Sequence, residues 1–282
     1  MSPPPLPIVR TVVEMRAAVA AWRKAGETVA MVPTMGNLHA GHYSLVMLAR
    51  QYADRVVSSV FVNPTQFGPN EDFAAYPRDE ARDAALLASE GCDLLFAPAV
   101  EEMYAPGFST SVAVGGGVTE PMDGAARPGH FGGVATVVTK LLLQCGPDVA
   151  VFGEKDYQQL QVIRRLVRDL DIPVEIVGAP IARAADGLAL SSRNAYLSTA
   201  EREIAGRMNL ILAEAARRLR DGASPAEAEA QGLAALAEAG FAPIDYFEVR
   251  GADDLSRPPN GPARVFAAAF VGRTRLIDNM AV

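Results

Sequence analysis

Alternation constrains this chain more than any other feature. Over the first two-thirds, short β-branched runs take turns with amphipathic helical patterns. Residues 28–32, 55–62, 93–96, 149–152 and 174–177 read as strands. Residues 39–53, 78–89, 132–144 and 156–170 read as helices, with Leu45, Leu48 and Tyr52 along one side of the first of these. Another helix opens at Thr11-Val12-Val13-Glu14, which has the form of a capping box. Met15, Val19 and Trp22 follow one turn apart, and Gly26 supplies the stop. Strands that alternate with helices build βαβ units and a mostly parallel sheet covered by helices.

The expected fold class is therefore α/β, a Rossmann-like parallel sheet with helices on both faces. At 282 residues the chain has room for about two domains. After residue 197 the pattern changes: residues 201–220 and 225–239 read as helices, and 244–250, 264–271 and 275–279 as strands of a small sheet. The expected division is a Rossmann-like domain over 1–181 and a smaller α+β domain over 182–282. The loop 64–77 is polar and rich in Pro, Asn and Gly.

Half of the residues are apolar and 21% are charged, a globular balance that excludes disordered and fibrous classes. Net charge is 26 − 33 = −7. Nucleic acid is not an expected partner, because a phosphate-binding surface needs an excess of Lys and Arg. An anionic ligand must be held by a few local cations. Cys92 and Cys145 lie in apolar segments and have no zinc-ligand spacing, so they read as buried thiols in a reducing compartment. The proline-rich residues 1–7 are followed too soon by Arg10, Glu14 and Arg16 for a signal peptide. No run approaches 18 apolar residues, which removes a membrane partner and leaves a cytoplasmic location as the expectation.

Parallel sheets bind ligands at the carboxyl ends of their strands, near a topological switch point. Five segments follow strands or open helices. Pro33-Thr34-Met35-Gly36-Asn37-Leu38-His39-Ala40-Gly41-His42 carries two of the three histidines, three apart at a helix start. Both imidazoles should project from the first turn, beside free backbone N–H groups that attract phosphate. A metal site is disfavoured there, since no carboxylate or third histidine is close in sequence. Asn63 and Gln66, after the 55–62 strand, offer amides to a hydroxylated substrate, or equally make an ordinary turn. Arg127-Pro128-Gly129-His130 is a glycine-rich helix entry, either an anion site or a connection. Gly153-Glu154-Lys155-Asp156, with Gln159 one turn on, reads as a phosphate and ribose site or as a capped amphipathic helix. Leu190-Ser191-Ser192-Arg193, opened by Asp186-Gly187, reads as a mobile phosphate clamp or as a polar connection. Together the five suggest nucleotidyl transfer with release of pyrophosphate.

The order of Pro-Thr-Met-Gly-Asn-Leu-His-Ala-Gly-His (33–42), Phe-Val-Asn-Pro-Thr-Gln-Phe (61–67), Arg-Pro-Gly-His-Phe (127–131), Gly-Glu-Lys-Asp-Tyr-Gln-Gln-Leu (153–160) and Leu-Ser-Ser-Arg-Asn (190–194) closely resembles the pantothenate synthetases. These belong to the class I aminoacyl-tRNA-synthetase-like nucleotidyltransferases. The resemblance implies that pantoate and ATP form pantoyl adenylate, which β-alanine attacks to give pantothenate and AMP. It implies that His42 donates a proton to the leaving phosphate, with His39, Lys155, Ser192 and Arg193 as the other catalytic groups. Met35, Gly36, Asn37, Leu38, His39, Ala40, Gly41 and His42 would hold ATP. So would Gly153, Glu154, Lys155, Asp156, Ala182, Leu190, Ser191, Ser192 and Arg193. Gln66 and Gln159 would bind pantoate, supported by Pro33, Thr34, Met35, Asn63 and Arg127. Magnesium bound with ATP and a homodimer through the larger domain are further implications. No protein residues are assigned to the metal.

Cytidylyltransferases and phosphopantetheine adenylyltransferases share the histidine pair, but are not expected to carry both Gln66 and Gln159 in this setting. Length and acidic charge disfavour a tRNA synthetase. A non-catalytic nucleotide-binding module would suit a chain lacking His42, Lys155 or Arg193, and all three are present.

Overall fold

The computed structural model describes residues 6–68, 73 and 76–282. Residues 1–5 and part of the 64–77 loop therefore lie outside the described residues. Elements run in the order β1 (Ile8–Val9), α1 (Val12–Lys24), β2 (Val29–Thr34), α2 (Ala40–Ala49), β3 (Arg55–Val60), α3 (Glu80–Ser89), β4 (Leu94–Phe96), α4 (Val100–Met103) and α5 (Asp123–Ala126). There follow α6 (His130–Cys145), β5 (Val149–Gly153), α7 (Tyr157–Asp169), β6 (Glu175–Ala179), α8 (Thr199–Ala205), α9 (Arg207–Arg220), α10 (Pro225–Ala239), β7 (Ile244–Gly251), β8 (Ala263–Val271) and β9 (Thr274–Ala281). The chain groups into two compact units. The first holds residues 1–114, 127–154 and 162–179, and the second holds 115–126, 155–161 and 180–282.

In the first unit, six parallel strands lie in the order β1-β4-β3-β2-β5-β6. This is the expected α/β sheet. Succession runs outward from β2 through β3 to β4, and in the other direction from β5 to β6. The switch point therefore falls between β2 and β5, which pair at Ala30↔Val149 and Met31↔Ala150. Consequently the segments after Thr34 and after Gly153 leave the sheet side by side. The centre of the sheet is largely apolar, with Ser58 and Ser59 of β3 as buried exceptions: Ala30, Val32, Val56, Leu95 and Val151 are fully buried, and α2 adds Leu45, Val46 and Ala49 to the same cluster. Each such Val or Leu is worth about 1.5–3 kcal/mol of burial.

Details of this unit differ from the sequence reading, among them the short helix α4 and the extension of β2 to Thr34. An additional edge strand, β1, pairs with β4 at Ile8↔Leu95. At two residues it is too short to carry a periodic signal. The second helix stops at Ala49 instead of residue 53. Its end tightens into turns from Gln51 N–H to the Leu48 carbonyl and from Tyr52 N–H to the Ala49 carbonyl, which leaves Tyr52 exposed.

In the second unit, β7, β8 and β9 form an antiparallel sheet. The helical stretch expected over 201–220 is divided at Gly206 into α8 and α9. The core of this unit joins Leu212 and Ala216 of α9 and Leu236 of α10 to Val265, Ala267 and Ala269 of β8. Gly232 is obligatory, since a Cβ there would stand 2.2 Å from the Phe247 ring. Among the described residues no helix is long and apolar enough to cross a membrane.

Candidate active site

Within the first unit the site grows from the end of β2. Thr34 closes that strand by donating its hydroxyl to the Ser59 carbonyl at 2.6 Å, and it accepts the Gly36 N–H at 3.2 Å. The chain then turns back on itself through Gly36 (φ 85°) and Asn37 (φ 52°). Glycine suits that backbone, and a Cβ at Gly36 would also stand 3.0 Å from both Asp83 Oδ2 and Val60 Cγ1. Asp83 on α3, 1% exposed, accepts the N–H groups of Asn37 and Leu38 at 2.8 Å each. Burial pushes its carboxyl up, against those two hydrogen bonds, which hold it down.

His39 is extended and forms the N-cap of α2, which starts at Ala40. Its Nδ1 accepts the Gly41 N–H at 3.1 Å, and Nδ1 of His42 accepts the His39 N–H at 3.3 Å. The rings lie 4.2 Å apart, tilted by 50°. A neutral imidazole that accepts at Nδ1 carries its proton at Nε2, so both rings present an Nε2–H. This corrects the expected picture in two respects. Only His42 belongs to the first turn, because His39 is spent on the cap. The N–H groups of Asn37, Leu38, His39 and Gly41 are occupied by Asp83 and the imidazoles. Each imidazole thus keeps its Nε2–H as a further donor of the same turn.

The 3-10 turn Pro64–Gln66 stands after β3. Gln66 donates Nε2–H to Met35 Sδ at 2.9 Å and accepts from Asn63 Nδ2 at 3.1 Å, so these side chains meet. Asn63 is 1% exposed and fully engaged. It donates also to the Gly133 carbonyl at 3.2 Å, and it accepts from Thr65 Oγ1 at 2.9 Å and from the Tyr104 hydroxyl at 2.8 Å. Every donor and acceptor of this buried amide is engaged, so Asn63 orients Gln66, as the turn reading expects. Burial raises the Tyr104 phenol, which keeps it a donor.

The glycine-rich entry to α6 places Arg127 and His130 against the turn that carries Gln66. Arg127 Nη1 lies 3.0 Å from His130 Nε2, and His130 Nδ1 lies 2.9 Å from the Gln66 carbonyl. Arginine only donates, so His130 accepts at Nε2 and donates at Nδ1. Arg127 thus reaches the site chiefly through His130, and its direct bond to the Gln66 carbonyl is long at 3.5 Å. At Gly133 a Cβ would stand 2.3 Å from the Thr65 carbonyl oxygen, so α6 presses directly on the turn that holds Gln66.

Gly153 and Glu154 leave β5 at the switch point, in the first unit. Lys155, Asp156 and Gln159 belong to the second unit, as do Ala182 and Leu190–Arg193. Lys155 Nζ lies 3.6 Å from Asp156 Oδ1. Gln159 is half-buried and its amide bonds no other described residue, whereas its neighbour Gln158 is consumed by the carbonyls of Val118 and Pro121 and by the Asp123 N–H. The segment 182–190 is a hairpin: Leu190 N–H donates to the Ala182 carbonyl and Ala184 N–H to the Leu188 carbonyl, both at 2.9 Å. Ser191 caps the 3-10 turn Ser192–Tyr196 by accepting the Arg193 N–H. In the hairpin that leads to the expected clamp, Arg183 of the stem pairs with Asp278, and Asp186 of the turn pairs with Arg202. Among the described residues, no group of three or more His, Cys, Asp or Glu side chains lies close enough to hold a metal ion.

Sequence reading missed Asp83 and Tyr104, and it singled out the His130 segment without giving that histidine a role. His130 carried a signal, as the third histidine of the chain. Asp83 and Tyr104 carried none, because each acts on a segment distant in the sequence.

Residues 7–281 match the family model described as pantoate-beta-alanine ligase. A pantothenate synthetase of Caulobacter vibrioides is 63% identical over 280 residues, covering 98% of both chains. One from Paramagnetospirillum magneticum is 60% identical, covering 98% of this chain and 97% of the relative. The crystal structure of pantothenate synthetase from Thermus thermophilus superposes with a TM-score of 0.91 at 50% identity, over 98% of this chain and 99% of that one. A pantoate-beta-alanine ligase from Francisella tularensis, solved with beta-gamma ATP and beta-alanine, gives a TM-score of 0.82 at 35% identity, over 98% of this chain and 97% of that one. This chain belongs to the pantoate-beta-alanine ligase family.

Proposed function

We propose that the protein condenses pantoate with β-alanine in the cytoplasm, using ATP, by way of pantoyl adenylate, and so supplies a precursor of coenzyme A. One observation carries the reading: two imidazoles, locked as Nε2–H donors, stand beside the switch point of a parallel sheet. Donors aimed at an α-phosphate and its leaving pyrophosphate stabilise charge that develops as the carboxylate attacks. A carboxylate is a poor electrophile because its oxide leaves badly, and adenylation replaces that leaving group with a phosphate monoester. The β-alanine amine then attacks in its neutral form. An unperturbed alkyl amine titrates near about 10, so the site must favour deprotonation. The anhydride must also be shielded from water.

In this reading His42 protonates the departing phosphate with His39 beside it, Lys155 and Arg193 neutralise the triphosphate, and Ser192 donates its hydroxyl to it. Met35–His42, Gly153–Asp156, the Ala182 backbone and Leu190–Arg193 hold ATP. Gln66 and Gln159 bind pantoate beside Pro33, Thr34 and Met35, with Arg127 acting through His130. Residues 182–282 serve as the lid, and the protein works as a homodimer through its larger domain. Magnesium fits as an ion carried largely by the phosphates and water, a usual arrangement for this cation.

The test is direct. ATP consumption should require pantoate and β-alanine together and yield AMP, and release of ADP would contradict the mechanism. Crystals soaked with ATP and pantoate, without β-alanine, should trap the mixed anhydride.

A further inference from the structure

We propose that Asp278 and Asn279, consecutive on the edge strand β9, position the two cation-bearing segments of the second unit: the Lys155 turn and the hairpin leading to Ser191–Arg193. The inference rests on the assignment of those segments to ATP.

Asn279 is 2% exposed and donates Nδ2–H to the Lys155 carbonyl at 3.0 Å. Its Oδ1 accepts from Arg264 Nη1. The Arg264 guanidinium in turn lies 3.9 Å from the ring centre of Tyr157, two residues after Lys155. One amide and one guanidinium thus grip both ends of the turn that aims the lysine.

Side chains alternate along a strand, so Asp278 leaves β9 on the other face. It is 4% exposed and takes Arg183 in a two-pronged pair, at 2.6 Å from Nη1 and 3.0 Å from Nη2. Arg183 Nη1 also donates to the Gly187 carbonyl at 3.0 Å, which fixes the hairpin tip to its stem. Asp278 Oδ1 accepts the Asn279 N–H at 2.8 Å, joining the two anchors through one peptide. A buried ion pair stabilises a fold little better than apolar residues of the same volume. Its planar, two-pronged geometry does define a position. The β9 edge therefore sets where the lysine and the Ser-Ser-Arg loop stand with respect to each other.

Asn279→Asp keeps the shape and the oxygen that meets Arg264, but removes the donor to Lys155. ATP–pyrophosphate exchange with pantoate should be measured for this variant in the natural background and with Lys155→Ala, alongside thermal unfolding. We expect the ATP KM to rise about 10-fold in the natural background and by less than about 2-fold beside Lys155→Ala, the signature of a residue acting through its neighbour. The pantoate KM should stay near its natural value, and the unfolding temperature should fall equally in both backgrounds, because the new carboxylate is buried beside Asp278. Equal effects on the ATP KM in both backgrounds, or fewer active molecules with an unchanged ATP KM, would overturn the proposal. An unchanged ATP KM in Lys155→Ala alone would instead remove Lys155 from the ATP site. Asp278→Asn, paired with Arg193→Ala, provides the second cycle. Its effects should be non-additive, and additive effects would count against the hairpin anchor.

Discussion

His39 and His42 hold each other in place: the Gly41 N–H enters Nδ1 of His39, and the His39 N–H enters Nδ1 of His42. Histidine here does the work usually given to Ser and Glu in a capping box. The same bonds that start the helix fix Nδ1 of each ring as an acceptor.

That relationship separates two roles for His42. His42→Ala should slow adenylation by about 100-fold or more, the range of a lost general acid. His42→Asn keeps an acceptor where Nδ1 stood, so it should preserve the cap and the unfolding temperature while losing the rate. Single-turnover adenylation with parallel calorimetry checks this. Near-natural turnover of both variants would remove His42 from the chemistry.

Gln66 and Gly133 should fail differently. Gln66→Ala removes an amide already oriented by Asn63 and Met35, so pantoate affinity should drop about 10-fold, the worth of a hydrogen bond or so, with little change in stability. Gly133→Ala drives a Cβ into the Thr65 carbonyl at 2.3 Å, so it should cost about 1–3 kcal/mol of stability and pantoate affinity as well. Calorimetric titration with pantoate and urea unfolding distinguish the two. Pantoate affinity unaffected by Gln66→Ala would withdraw that residue from the substrate.

The two cysteines predict an alkaline effect. Burial pushes the Cys92 thiol to about 11 and Cys145 to about 12, from 9.0 in the open chain. An acid raised by folding stabilises the protein fully below pH 9, and that contribution is lost as pH rises toward 11. Each thiol should therefore steepen the fall by up to about 1.4 kcal/mol per pH unit. Urea unfolding at several values above pH 9 should show a shallower decline for Cys92→Ala/Cys145→Ala than for the natural protein. Parallel declines would contradict it. At neutral pH both thiols should resist thiol reagents until the chain unfolds.

Much of the architecture is written locally. Apolar spacing defines the strands of the parallel sheet, and the histidine pair, Lys155 and the Ser-Ser-Arg run stand in short motifs after them. What the motifs could not reveal is which of their polar groups remain available. Asn63 looked like a ligand contact and is saturated. The backbone N–H groups of Asn37 and Leu38, just before α2, belong to Asp83.

Periodicity and local motifs alone determined the sheet, its helices and the identity of the chemical groups, because hydrophobic period, caps and turn residues act over a few positions. Tertiary structure alone decided the orientation of those groups. Asp83 reaches Leu38 across 45 residues, Asn63 reaches Gly133 across 70, and Asn279 reaches Lys155 across 124. A hydrogen bond depends on distance in space, and spacing along a chain does not encode that until the chain is folded.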